Sequence, residues 1–149
     1  LTVPEKYGAD HLINYRTEDF RTRVLEITEG RGVDVVYDPV GGDVFDQSLR
    51  CLAWEGRLLV IGFACGRIPT APANYLLVKN IAVSGLHWGA YADRDLAVLR
   101  ASFETLFGWY VEGALKPHIS QTLPLEKAVS GLEALVERRS TGKIVLTTG

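Results

Sequence analysis

The clearest structural pattern in the sequence lies in residues 33–62, which read VDVVYDPVGGDVFDQSLRCLAWEGRLLVIG. The β-branched run VDVVYD is typical of a strand, and PVGG is typical of a turn. Phe45, Leu49 and Leu52 follow at i, i+4 and i+7, which is the spacing of one helical face. RLLVIG (57–62) is nearly continuous in apolar residues, as strands buried on both faces of a parallel sheet are. This segment therefore predicts a strand, a turn, a helix and a second strand parallel to the first.

The flanking residues continue the same alternation. LINY (12–15) predicts a short strand, and TEDFRTRVLEITEG (17–30) predicts a helix that Thr17 caps and Gly30 ends. IAVSGLHW (81–88) predicts a further strand. Strands that alternate with helices of about 12 residues imply right-handed crossovers and a parallel sheet with helices on both faces. The predicted fold class is therefore α/β with a doubly wound sheet, in which ligands bind beyond the carboxyl ends of the strands.

The pattern changes after Trp88. A long helix is predicted from about Asp93 to Gly113, where Lys116-Pro117 follows and breaks the periodicity. The remaining residues predict a strand in ISQTLPL, an amphipathic helix in EKAVSGLEALVERR and a closing strand in KIVLTT. This second part is thus a helix-strand-helix-strand segment.

Composition favours an ordinary soluble globular protein. The 149 residues are 47% hydrophobic and 23% charged, and a net charge of -2 provides no basic surface for nucleic acid. No apolar run approaches the roughly 18 residues of a membrane span. Cys51 and Cys65 lack metal-site spacing and cannot form a disulfide framework, which favours a reducing cytoplasm. His11, His87 and His118 are scattered, so we expect no metal site, and no constellation of catalytic side chains is recognisable.

Four stretches resemble, in order, the quinone oxidoreductase branch of the medium-chain dehydrogenase/reductase superfamily. They are YGADHLINYR, GRGVDVVYDPVGGDVFDQSL, EGRLLVIGFACGRIPTAPANYLLVKNIAVSGLHWGAY and STGKIVLT. The resemblance implies a zinc-free enzyme that transfers a hydride from NADPH to a quinone or a similar conjugated carbonyl. Two alternatives remain open: an enone or enoyl reductase of the same superfamily, and an inert structural or dimerisation fragment.

The resemblance also implies a domain organisation. Residues 1–88 would be the carboxyl-terminal part of a Rossmann cofactor domain, and residues 89–149 would complete the catalytic domain. The sequence has no GxGxxG turn to hold a pyrophosphate, and it contains no methionine. We therefore expect a partial Rossmann fold and a fragment that is inactive alone. In the family, the strand at 81–88 pairs with its twin, which implies a homodimer.

Five candidate cofactor contacts lie at the ends of the first two predicted strands. Tyr15 and Arg16 end the first strand, and the resemblance places the tyrosine beside the adenosine 2'-phosphate of NADPH, where the arginine adds charge. Pro39, Val40 and Gly41 form the next turn, where the family makes ribose and nicotinamide contacts. The alternatives are a surface tyrosine with a solvated arginine, and a plain tight turn.

Five further candidates come later in the chain. Ile61, Gly62 and Phe63 end the RLLVIG strand, and by resemblance they flank the nicotinamide. Arg139 and Lys143 bracket the STGK segment, where family members bring a basic residue toward the cofactor phosphates. Phe63 could equally pack beneath its loop, and the basic pair could be a solvated turn that complements a helix dipole.

Overall fold

The computed structural model of this protein describes residues 2–137 and 139–148. The chain divides into two compact units, one formed by Leu12–Tyr91 and the other by Leu1–His11 with Ala92–Gly149. We call them the three-stranded unit and the two-stranded unit after the sheets they contain. The division follows Tyr91, close to the predicted boundary after residue 88, and the assignment of the two parts to a cofactor domain and a catalytic domain stays a prediction.

The three-stranded unit is built on a parallel sheet in the order β1-β2-β3, as residues 33–62 predict. A helix follows each of the first two strands, so that both connections are crossovers between parallel neighbours. This confirms the α/β class and the strand-turn-helix-strand pattern. The elements are α2 (Phe20–Ile27), β1 (Val33–Asp38), α3 (Gly42–Cys51), β2 (Leu52–Val60), α4 (Ala73–Lys79) and β3 (Ala82–Gly85), preceded by α1 (Thr2–Lys6) in the other unit.

The core of this unit lies where α3 packs on the sheet. Phe45, Leu49, Leu52, Leu58 and Ile81 are all buried and form one apolar cluster. Burying a side chain of this size contributes about 1.5–3 kcal/mol relative to leaving it in water. The spacing of Phe45 and Leu49 on one face of α3 is therefore what attaches the helix to the sheet.

Strand β2 begins five residues earlier than predicted. Leu52 opens the strand and does not extend the apolar face of α3, although it is buried as expected. The pairing of β1 with β2 shifts register between Val33 and Val35, and Glu55 has a φ of 60°. A bulge of this kind adds residues to one strand without breaking the ladder.

The strand predicted at residues 12–15 is absent. A strand needs a neighbour to satisfy its backbone, and no strand in the described part of the chain pairs with this segment. Instead, the carbonyl of Asn14 accepts hydrogen bonds from the backbone N–H groups of Thr17 and Glu18 and closes a turn. Thr17 is therefore not the cap of α2. Asp19 is the cap, because its carboxylate accepts from the N–H groups of Arg21 and Thr22 at 3.0 and 3.4 Å.

The two-stranded unit pairs β4 (Ile119–Pro124) with β5 (Lys143–Thr147) in parallel, joined by α7 (Ala128–Val136). The helix α7 packs on this sheet at Gly131, which is buried and where an added β carbon would meet side-chain atoms of Ile144 and Leu123 at 3.4 Å, an ordinary contact distance. The predicted strand, helix and closing strand of this region are thus confirmed.

The predicted helix from Asp93 to Gly113 is two helices. They are α5 (Tyr91–Arg94) and α6 (Leu96–Val111), and Asp95 separates them. The carboxylate of Asp95 accepts a hydrogen bond from the N–H of Val98, so this residue caps α6 in place of continuing a single helix. Of the helices that the structure describes, none has the length and apolar character needed to cross a bilayer.

Candidate functional site

The candidate site lies at the carboxyl ends of β1, β2 and β3. Because the three strands are parallel, the segments that follow them emerge at one edge of the sheet. These segments are the turn at 39–42, the loop at 61–68 and the pair Leu86-His87. This is the edge at which open α/β sheets bind ligands.

Asp38 ends β1 and holds the turn that follows it. The side chain is 2% exposed, and Oδ1 accepts hydrogen bonds from the N–H groups of Val40 and Gly41 at 2.8 and 3.0 Å. Oδ2 is buried and has no hydrogen-bond partner among the described residues. Gly41 and Gly42 have φ values of 72° and 57°, which favour glycine. The sequence places Asp38 at the start of this turn, and an aspartate that accepts from backbone N–H groups two and three residues on is a common feature of turns.

The loop after β2 is hydrogen-bonded to the turn after β1. Three backbone N–H groups of the loop donate to three consecutive carbonyls of the turn. The bonds run from Ile61 to Asp38 at 2.9 Å, from Ala64 to Pro39 at 3.1 Å and from Cys65 to Val40 at 3.0 Å. The structure therefore brings together two of the predicted cofactor segments as one hydrogen-bonded pair of loops.

The two glycines of the turn accommodate the second loop. A β carbon on Gly41 would lie 2.9 Å from Cδ1 of Phe63, and one on Gly42 would lie 2.5 Å from Sγ of Cys65. Contacts this short do not occur, so the loop occupies the space that a larger side chain would need. Gly62 differs, because a β carbon there would approach only the carbonyl of Pro39 at 3.4 Å. The close packing of the loop after β2 thus explains the glycines at positions 41 and 42. Gly62 has space beside it on the side away from the Pro39 carbonyl.

An arginine attaches the same loop to α3. Nη2 of Arg67 lies 2.8 Å from a carboxylate oxygen of Asp43 and 2.5 Å from one of Asp46. The hydrogen bond that the guanidinium donates to Asp46, and to a smaller extent the one that it donates to Asp43, raises the pKa of Arg67. The spacing of Asp43 and Asp46 places them on one helical face, but no sequence pattern points to an arginine more than 20 residues away.

We call the first of two cavities at this site the Phe63 cavity. It is a shallow hollow between the ends of β2 and β3 that contains the predicted segment Ile61-Gly62-Phe63. It is lined by Val60, Ile61, Gly62, Phe63, Gly85, Leu86 and His87. Most of this lining is apolar side chain or glycine backbone, which suits one face of a flat ring. Leu86 and His87 were missed by sequence reasoning, although they end the predicted strand at 81–88.

The Tyr15 cavity is the second hollow, and its lining carries both charges: Tyr15, Glu18, Asp19, Phe20, Arg21, Asp43, Val44, Gln47 and Arg50. It places the predicted adenosine-side tyrosine beside the first turn of α3, with two arginines in the same lining. Arg16 is exposed and is not among the described residues that line it. The backbone N–H of Arg16 donates to the side chain of Asn14, and the roles of Tyr15 and Arg16 at the cofactor stay predictions.

Arg139 and Lys143 lie in the two-stranded unit. Arg139 is exposed and forms an ion pair with Glu137 at 2.5 Å. Lys143 opens β5 with an exposed side chain, and its backbone N–H donates to the carbonyl of His118. Their role at the cofactor phosphates stays a prediction.

The family model described as "Zinc-binding dehydrogenase" matches residues 7–146 of the chain. The chain belongs to the zinc-binding dehydrogenase family. This confirms the resemblance to medium-chain dehydrogenases, and the solved structures it resembles have a Rossmann-type domain. Although the family takes its name from zinc, the described residues contain no group of three or more His, Cys, Asp or Glu side chains that could hold a metal.

Members of the family with curated names include a quinone oxidoreductase-like protein 2 homolog from Nematostella vectensis. It is 42% identical to this chain over 149 residues, which are 99% of this chain and 41% of the relative. A 2-haloacrylate reductase from Burkholderia sp is 33% identical over 148 residues, covering 95% of this chain and 43% of the relative.

A solved structure of the family shows the same fold. It is the quinone oxidoreductase of Escherichia coli complexed with NADPH, which is 33% identical and superposes with a TM-score of 0.83 over 97% of this chain and 45% of that one. The chain thus spans less than half the length of each of these three proteins.

Proposed function

We propose that the parent protein is an NADPH-dependent oxidoreductase that reduces a quinone or a similar conjugated carbonyl. In this proposal, residues 1–88 are part of its cofactor domain, and residues 89–149 help to complete its catalytic domain. The observation that carries the proposal is the pair of hydrogen-bonded loops at the carboxyl edge of the sheet, where both predicted nicotinamide-side segments meet. The name of the NADPH-bound relative from Escherichia coli supports the choice of cofactor.

The residues present fit a nicotinamide dinucleotide in two respects. The Phe63 cavity offers an apolar lining with an open glycine at 62, which suits the nicotinamide ring. The Tyr15 cavity offers aromatic side chains for an adenine and two arginines, Arg21 and Arg50, for a phosphate, while the carboxylates of Glu18, Asp19 and Asp43 in the same lining oppose an anion. When bound, NADPH would supply the hydride. The chain's own residues would orient the ring and limit access of water to it.

No GxGxxG segment occurs in these 149 residues. We infer that the pyrophosphate is held by a part of the parent outside them, because a glycine-rich turn and a helix amino terminus are the usual cradle for that double negative charge. Activity is therefore to be tested on the full-length parent. We expect oxidation of NADPH to depend on added benzoquinone, and NADPH oxidation at the same rate without an acceptor would contradict the proposal.

A second candidate function is enone or enoyl reduction. It is favoured by the similarity to a 2-haloacrylate reductase, whose name denotes a substrate with a carbon–carbon double bond conjugated to a carboxylate. Rates with benzoquinone and with a simple enone, measured on one preparation at equal NADPH, separate the two candidates. A higher kcat/KM for the enone would favour this alternative.

The third candidate is a structural or dimerisation role without activity, and dimerisation also fits the enzyme. We propose a homodimer in which β3 pairs with its twin. Supporting this, β3 pairs with β2 alone in the described part of the sheet and is largely exposed. A strand with unpaired backbone groups on one side is a template for another strand. Light scattering of the parent should give twice the mass of one chain, and a monomer would contradict the proposal.

We further propose that the enzyme does not require zinc and that it is located in the cytoplasm. Supporting this, Cys51 is buried and Cys65 exposed, and both are free thiols, as a reducing compartment allows. A strong chelator should leave the melting temperature and the activity of the parent unchanged. A clear fall in either would show that a metal contributes to the fold or to the site.

A further inference from the structure

Asp38 acts on both loops of the candidate site. Its side-chain Oδ1 accepts from the N–H groups of Val40 and Gly41, and its backbone carbonyl accepts from the N–H of Ile61. One residue therefore fixes the turn after β1 with its side chain and the start of the loop after β2 with its backbone. The side chain is 2% exposed, so water does not compete for these bonds.

The turn needs such a restraint because of its backbone conformation. Gly41 and Gly42 both have positive φ values, and glycine adopts negative values as readily. Without the carboxylate, the N–H groups of Val40 and Gly41 would lose their acceptor, and the turn would have other conformations open to it. The loop hydrogen bonds that end on Pro39 and Val40 would move with it.

We propose that Asp38 is a positioning residue that sets the geometry of both predicted nicotinamide-side loops through Oδ1. This inference rests on the proposed function. The role is geometric, because Oδ2 is buried without a partner among the described residues and is not accessible to a ligand. What the turn requires is an acceptor oxygen at the position of Oδ1, and a carboxamide supplies one.

The variants follow from this requirement. Asp38→Ala removes the acceptor, while Asp38→Asn keeps an oxygen for Val40 and Gly41 and changes only the group at Oδ2. Asp34→Ala is the matched control, since it lies on the same strand with a side chain 70% exposed and paired with Arg31. All three are made in the full-length parent.

The experiment measures NADPH affinity by calorimetry and amide hydrogen exchange in residues 40–42 and 61–65. For Asp38→Ala we expect the Kd to rise by about tenfold or more and exchange in both segments to accelerate, because the two hydrogen bonds that hold the turn are lost. Asp38→Asn should restore both readouts to within about threefold of the wild type, and kcat at saturating NADPH with them. Asp34→Ala should match the wild type.

Two results would overturn the proposal. One is wild-type exchange in both segments of Asp38→Ala, and the other is an Asp38→Asn variant as impaired as Asp38→Ala, which would assign the effect to charge. If Asp38→Ala does not fold, exchange in Asp38→Asn decides, since fast exchange there contradicts the role of the acceptor and wild-type exchange supports it. If the wild-type parent binds no NADPH, the proposed function fails, whereas exchange still decides whether Asp38 holds the two loops.

Discussion

The thiol sulfur of Cys65 lies 2.5 Å from the point where a β carbon on Gly42 would stand. Since φ of Gly42 is 57°, this position disfavours larger residues twice, by backbone conformation and by contact with a thiol that would have to move. The loop after β2 is thereby seated directly on the first residue of α3. Any change that separates them should alter the edge of the sheet at which the candidate site lies.

Gly42→Ala should therefore destabilise the protein more than an ordinary glycine replacement at positive φ. Gly66→Ala is the matched control, because Gly66 has a φ of 86° but no neighbour within 4 Å of an added β carbon. The strain shared by both costs at least about 1 kcal/mol, and the steric overlap adds to it only at Gly42. Urea unfolding of the parent measures the difference, and equal midpoints for the two variants would contradict it.

The sequence predicts best those elements whose regularly spaced apolar residues form the core. Phe45 and Leu49 were placed on one helical face, and both are buried there. The strand predicted at 12–15 was wrong, since an apolar run does not form a strand without a neighbour to pair with. Asn14, which accepts two backbone N–H groups, makes a turn in its place.

The candidate site was predictable where residues simply follow strands. Ile61, Gly62 and Phe63 do meet in one cavity after β2. The contacts that join the loops were not predictable, because the salt bridges of Arg67 to α3 span more than 20 residues and depend on how the chain folds back. Local spacing carries no information on such pairs.

Leu58→Ala should be among the most damaging changes to the three-stranded unit. Leu58 lies in the central strand and is fully buried, so its truncation leaves a cavity that costs about 2–5 kcal/mol. Leu77→Ala, in a side chain 78% exposed, should change stability by no more than about 0.5 kcal/mol. The unfolding midpoints of the two variants test this difference. A large loss of stability in Leu77→Ala would contradict it.

The two thiols should differ in reactivity. Cys65 is exposed, whereas Cys51 is 2% exposed and burial raises the pKa of its thiol. The thiolate is the nucleophile, so Cys51 should resist alkylation at neutral pH and react appreciably only as the pH rises or the chain unfolds. Peptide mapping after brief treatment with iodoacetamide reports each site. Modification of Cys51 at a rate equal to that of Cys65 in the folded protein would be inconsistent with the buried position.

The parent should prefer NADPH to NADH, and the arginine responsible should be one that shares a cavity with Tyr15. A charge-assisted contact with the 2'-phosphate gives roughly tenfold to hundredfold discrimination in kcat/KM. Arg21 lines the Tyr15 cavity, and Arg16 is not among its described lining. Arg21→Ala should therefore lower the ratio of kcat/KM with NADPH to kcat/KM with NADH more than Arg16→Ala does. Arg31→Ala is the control, because Arg31 is paired with Asp34 and neither residue is in the described lining of the cavity. Equal kcat/KM for the two cofactors in the wild type would refute the preference. If only Arg16→Ala lowered the preference for NADPH, Arg16 and not Arg21 would be the phosphate contact.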